Sequence, residues 1–397
     1  MMSPVVIEGV RTPRGKAKPD GGLAGVAPVD LVGSVLTGTL ERAGLDPSEV
    51  DEVVVGCASQ VDEQGGGVAR TAALLAGMPE TVPGITVNRY CSSGLDAVAV
   101  GAGLISSGQA EVVLAGGVES VSRVPMFSDR GPLWQDLDVV KRIGSVHMGI
   151  AADVVATEEG FTREQLDAYG ERTQRLAREA WERGAYDRSL LVPDGATIDR
   201  DEHMRADTTL EALAAMPAAF EELGASGQDA IALERLDELD HIDHLHTRGT
   251  SPAVADGAGM VLLASEDAAE RLGLTPRARI GGAAAAGCDP VRMLLAGQDA
   301  VEQVLARAGL GAEQLDLVEF AEAFSALCLR LQRDLGVGDD RFNVNGGTIA
   351  MGHAFGATGA ILLIGLVDEL ERRGARRGVA AVSGAAGSGA AVLVERA

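Results

Sequence analysis

Short apolar, β-branched runs separated by longer helical segments set the rhythm of the chain. PVVIEGV, DEVVVGC, GITVN and EVVLAGG are strand-like and alternate with helical stretches up to Glu119, the βαβ pattern of a mostly parallel sheet. The rhythm returns after Pro276. There ARIGGAA, LDLVEFA, RFNVNGG and GVAAVSGA alternate with QDAVEQVLARAG and GAILLIGLVDELERRG. Both ends also read in the same order: a V-N strand end, a reactive-type residue, a small-residue turn, an apolar helix and a β-branched strand. This duplication is weak, and it places Cys91 and His353 at equivalent strand-to-helix elbows.

Between the halves the composition becomes more charged and less regular. Thr162 with Gln165 forms a capping-box signature that opens a helix running to about Arg183 and stopping at Gly184. The pattern thus divides the chain into an N-terminal half (1–119), an inserted covering segment (120–277) that rejoins the first half near 250–265, and a C-terminal half (278–397). A long insertion over a rigid α/β scaffold is expected to cover the substrate.

Composition narrows the function. The 397 residues allow two fused halves of domain size, and 52 glycines with 3% aromatics imply a core of small side chains. A net charge of −24 without a basic tract argues against nucleic acid or an anionic membrane surface as partner. The N-terminus lacks a signal pattern, and no apolar run reaches about 18 residues. A soluble, cytoplasmic protein is the expectation.

Cys57, Cys91, Cys288 and Cys328 show neither CxxC spacing nor the density of a disulfide scaffold. At its elbow, Cys91 faces the positive end of the following helix, which favours thiolate. The plain alternative is a small buried hydrophobe. His241, His244 and His246, in DHIDHLHTRG, read as a solvated turn rather than metal ligands.

Six stretches line up from nearly the first residue to the last: NRYCSSGL at Cys91, SVHMGIAAD at His147, DGAGMVLL from Asp256, FAEAF at Phe320–Phe324, GGTIAMGHAFGATGA at His353 and SGAAGSG from Ser383. Together they resemble the thiolase family. The resemblance implies a five-layered αβαβα subunit of two similar halves with an inserted loop domain, a coenzyme A thioester as substrate, no cofactor, and a homodimer or homotetramer. It makes Cys91 the nucleophile that takes the acyl group and His353 the acceptor of its proton. His147 and Met148 would line the pantetheine channel, and Phe324, which closes the FAEAF motif, would join them in binding substrate.

Several positions depart from the family pattern. Ser383 stands where thiolases carry a second, acid/base cysteine, and a hydroxyl is a far weaker acid than a thiol. Ala321 replaces the asparagine that holds a water in one oxyanion hole; loss of an oxyanion donor typically costs about 3 kcal/mol. Ala385 and Ala386 replace glycines in the loop, with Gly387, whose backbone completes the other hole. Ala354 replaces a proline, and Pro252 falls on a serine that touches the coenzyme, for which the adjacent Ser251 would substitute in binding substrate. Two readings follow: an acyltransferase that loads Cys91 and passes the acyl group to carbon, thiol, amine or hydroxyl, or a silent homologue that binds acyl-CoA or a partner subunit.

Overall fold

In the computed structural model, which describes residues 2–397, the strands are β1 (Pro4–Arg11), β2 (Gly15–Lys16), β3 (Glu52–Gly56), β4 (Gly84–Val87), β5 (Val112–Glu119), β6 (Ala255–Ser265), β7 (Ala278–Gly287), β8 (Leu317–Phe320), β9 (Arg377–Gly384) and β10 (Ser388–Arg396). Hydrogen bonding orders them β4-β3-β5-β6-β1-β7-β10-β9-β8, with β2 on β6. The join between β1 and β7 is only two residue pairs, Val5 with Arg279 and Val6 with Ala278. On either side of it the pairings repeat. β1 is antiparallel to β6, β6 antiparallel to β5, and β5 parallel to β3. Likewise β7 is antiparallel to β10, β10 antiparallel to β9, and β9 parallel to β8. The duplication seen in the sequence is therefore structural.

Two expectations need correction. Among the described strands, pairing is parallel only at β3–β4, β3–β5 and β8–β9, so the sheet is mixed rather than mostly parallel. RFNVNGG, expected as a strand, makes isolated bridges only, Phe342 with Val318 and Val344 with Gly346. Asn343 has φ 44°, and its side-chain amide stands in for a ladder. Its Oδ1 accepts from the Phe320 N–H at 2.7 Å and its Nδ2 donates to the Phe320 carbonyl at 3.0 Å.

Two helices, Ser93–Ser106 and Phe355–Arg373, follow the equivalent elbows. Their apolar residues, among them Leu95, Val98, Leu363 and Leu366, share one core with Val113 and Val261 of one half-sheet and Val382 and Val392 of the other. Helices Pro28–Ala43 and Val68–Leu75 pack outside the first half-sheet, and Ala296–Ala308 and Ser325–Leu335 outside the second. The layers thus alternate α, β, α, β, α.

The covering segment is tied down by polar anchors. Thr162 and Gln165 form the expected capping box, and the helix they open spans Arg163–Glu182. Arg11 makes a buried two-point pair with Asp201, at 2.8 and 3.1 Å, joining β1 to the cover. The histidine turn also differs from expectation. His244 bridges Asp153 and Asp229 at 3.0 and 3.1 Å, and the buried His246 Nδ1 lies 2.7 Å from Asp153, while His241 stays exposed. Two of the three are structural anchors on one buried carboxylate. No described helix is long and apolar enough to cross a membrane.

Candidate active site

Cys91 sits between β4 and the N-cap Ser92 of the Ser93–Ser106 helix. His353 sits two residues before the Phe355–Arg373 helix. The elbows meet because glycines leave room: a Cβ on Gly117 would stand 2.0 Å from the Gly356 carbonyl oxygen, and one on Gly94 2.5 Å from it. Glu119, at the end of β5, cross-links the same region. Its buried carboxylate accepts from the N–H groups of Ala58, Ser59 and Gly356 at 3.0, 3.1 and 3.0 Å and from Gln64 Nε2 at 2.7 Å. An acidic residue closing the apolar run VVLAGGV was the sequence signal for this role.

The His353 loop has its own hub. Buried Glu322 accepts from Tyr169, Thr173 and Asn343 and from the Ile349 N–H at 3.0 Å. The imidazole is held by Thr358, whose Oγ1 lies 2.9 Å from Nδ1, leaving Nε2 as the nitrogen available for proton transfer. Phe355 packs edge-on against the ring at 5.2 Å.

Electrostatics overturn the expected resting thiolate. The N–H groups of Cys91 and Ala385 favour the anion, yet burial, with Glu119 nearby, pushes the thiol up to about 12. Burial, and next the Arg14 guanidinium, pushes His353 down to about 3. Both groups rest neutral at pH 7. No hydrogen bond joins them among the described residues.

A cavity of about 40 Å³ reaches Cys91, walled by Tyr90, Phe127, Trp134, Met148, Phe355 and Ala385. A larger one of about 230 Å³ adjoins it, sharing Phe127, Trp134 and Met148 and adding His147. His147 also caps the Met148–Glu158 helix through its Nδ1. The arrangement offers a buried thiol at the end of an apolar slot, with a wider chamber behind.

Residues 4–267 match the family described as thiolase, N-terminal domain, and residues 274–396 the thiolase, C-terminal domain. The chain belongs to the thiolase family. It is 38% identical to a beta-ketoadipyl-CoA thiolase of Pseudomonas aeruginosa and 35% to a 3-ketoacyl-CoA thiolase of Colwellia psychrerythraea, covering 98% and 99% of both chains respectively. Among solved thiolase-fold structures it is similar to a Bacillus anthracis acetyl-CoA acetyltransferase (TM-score 0.86, 34% identity, 100% and 99% of the two chains). It is also similar to human mitochondrial 3-ketoacyl-CoA thiolase in complex with CoA (TM-score 0.87, 32%, 100% and 98%).

The remaining sequence-derived positions separate around this thiolase centre. Ser383 is buried, and its hydroxyl donates to the Leu294 carbonyl and accepts from the Gly297 N–H rather than lining the Cys91 cavity. Ala321 is buried in the same apolar cluster as Cys91. Ala386 adopts φ 56°, the left-handed conformation that alanine tolerates poorly, and Gly387 follows at φ 66°. Phe324 packs on Phe220 and His246 at 5.8 and 5.3 Å. Ser251 lines a separate cavity of about 180 Å³ with His203 and Arg248, its hydroxyl without a partner. Glu119, Glu322, Thr358 and the aromatic wall were not singled out from sequence.

Proposed function

We propose that the chain is an acyl-CoA acyltransferase that works through an acyl-Cys91 intermediate. The supporting observation is the buried Cys91 thiol at the end of an apolar slot, where the backbone N–H groups of Cys91 and Ala385 favour its anion against the effect of burial. The Cys91 sulfur attacks the thioester carbonyl carbon as its proton passes to His353 Nε2. The C–S bond to coenzyme A then breaks, and the departing thiolate takes that proton as CoA-SH. The neutral thiol holds the one proton this exchange needs; His353, lowered by burial in the free protein, becomes a stronger base as negative charge develops on the attacking sulfur and the thioester oxygen.

Family resemblance supplies the carbon–carbon step, thiolysis of a 3-ketoacyl-CoA or its reverse. In our reading Ser383 takes no part as acid or base in that step, because its only O–H donor is committed to the Leu294 carbonyl and its oxygen already accepts from the Gly297 N–H. Edge strand β4 is apolar yet only partly buried, and Ile85, Leu74 and Leu75 are exposed; this supports pairing with a second copy of the subunit. A silent homologue that binds acyl-CoA draws on the missing Cys91–His353 hydrogen bond. Exchange of isotopically labelled CoA into acetyl-CoA separates the two. The acyl-enzyme reading requires exchange that Cys91→Ser abolishes, and absence of exchange in the wild-type protein favours the silent homologue.

A further inference from the structure

Aromatic residues are 3% of the chain, yet four of them wall one cavity of about 40 Å³ at Cys91: Tyr90, Phe127, Trp134 and Phe355. Trp134 is packed by the other two loop rings, Tyr90 at 5.9 Å edge-on and Phe127 at 4.8 Å. Seven described non-glycine residues have positive φ, and three of these rings are among them, Tyr90 at 50°, Phe127 at 71° and Phe355 at 24°. Bulky side chains avoid that region, and such strain persists where the surroundings enforce it, often at binding sites. Here the strain has one shared result, since all three rings are turned into the same slot.

The slot is shallow. At roughly 10–15 Å³ for each water-sized atom, 40 Å³ accepts a carbonyl group and one or two carbons beyond it. Its charge is also selective. Asp129 stands in the wall, and Arg89, the cation of the Cys91 elbow, is paired with Asp96 at 2.8 Å. A carboxylate at the far end of an acyl group therefore meets an anion and no free cation from that elbow.

Resting on the acyl-Cys91 reading, we propose that Tyr90, Phe127, Trp134 and Phe355 are specificity-determining residues that confine the enzyme to short, uncharged acyl groups. Trp134 is the stop against which a longer chain would collide, and the shared wall with the larger chamber leaves coenzyme A binding outside this selection. One extra methylene in a filled apolar pocket changes rates by about tenfold or more.

The test is the rate at which Cys91 gains acyl mass from acetyl-, butyryl-, octanoyl- and succinyl-CoA, in wild type, Trp134→Ala and Phe127→Leu, each confirmed folded by its thermal transition. Expected is a wild-type preference for acetyl over octanoyl and succinyl of more than about tenfold, with the octanoyl-to-acetyl ratio rising about tenfold in Trp134→Ala and less in Phe127→Leu. Equal wild-type rates for acetyl and octanoyl, or a ratio unmoved by both substitutions, would overturn the proposal and leave the acyl-enzyme intact. Absence of acyl mass from every thioester would overturn the acyl-enzyme reading and this one with it.

Discussion

Ser383 Oγ lies 2.6 Å from the Leu294 carbonyl oxygen, to which it donates, while it accepts from the Gly297 N–H at 3.1 Å. Ser383 thus serves as a clip between β9 and the start of the Ala296–Ala308 helix. Ser383→Ala should leave two buried backbone groups unpaired and cost about 1–3 kcal/mol of stability, readable as a lower urea midpoint. Labelled CoA exchange should survive the change. Loss of exchange with unchanged stability would instead make Ser383 part of the chemistry.

Ala386 occupies a backbone conformation suited to glycine, at φ 56° and ψ 29°. Relieving it by Ala386→Gly should stabilise the protein by about 0.5–1 kcal/mol, net of the entropy glycine adds to the unfolded chain. Calorimetry checks this as a rise in the transition temperature. A fall would mean that the methyl group's packing outweighs the strain.

The neutral resting forms of Cys91 and His353 each carry a signed pH dependence. His353 is lowered to about 3 from an unfolded value of about 6.5, so its contribution to stability is complete above about 6.5 and is lost as pH falls toward 3. Cys91 is raised to about 12, so its contribution is complete below the unfolded value of about 8.5 and is lost as pH climbs toward 12. Iodoacetamide alkylation of Cys91 should accordingly be slow at pH 7 and still rising above about pH 9. A rate plateau already reached at pH 7 would show a resting thiolate.

Glu119 is the second cause of that raised thiol, and it also ties the loop after β3, at Ala58, to the His353 elbow, at Gly356. Glu119→Gln removes an anion near the sulfur, so the Cys91 alkylation profile should move to lower pH. It also sets an NH₂ against backbone donors, at a cost of about 1–3 kcal/mol. A profile that stays in place while stability drops would confine Glu119 to a structural role.

Much of this was legible in the chain. The strand-like runs PVVIEGV, DEVVVGC, GITVN and GVAAVSGA became β1, β3, β4 and β9, because alternating helices and β-branched runs leave few other arrangements. β6 and β10 did not register as strands, since ADGAGMVLLAS and SGAAVLVER are diluted by glycine and alanine whose strand propensity comes from their neighbours. RFNVNGG misled for the opposite reason: its backbone pairs with β8 only around Val318, and the Asn343 side chain takes the bonds to Phe320 that a longer strand would have made. Cys91 and His353 stood out through their glycine-rich surroundings. The thiol's protonation did not, because a local helix terminus is visible in sequence and complete burial by distant segments is not. Glu322, joined to Tyr169 and Thr173 from far along the chain, was hidden for the same cause.

The central claim, a covalent acyl-Cys91, is tested most directly by intact-protein mass spectrometry after mixing with acetyl-CoA. The account predicts a single added acetyl mass on the wild-type protein, located to the peptide containing Cys91, and none on Cys91→Ala. An unmodified wild-type mass with acetyl-CoA and every other thioester tried, or an acetyl mass that persists in Cys91→Ala, would contradict it.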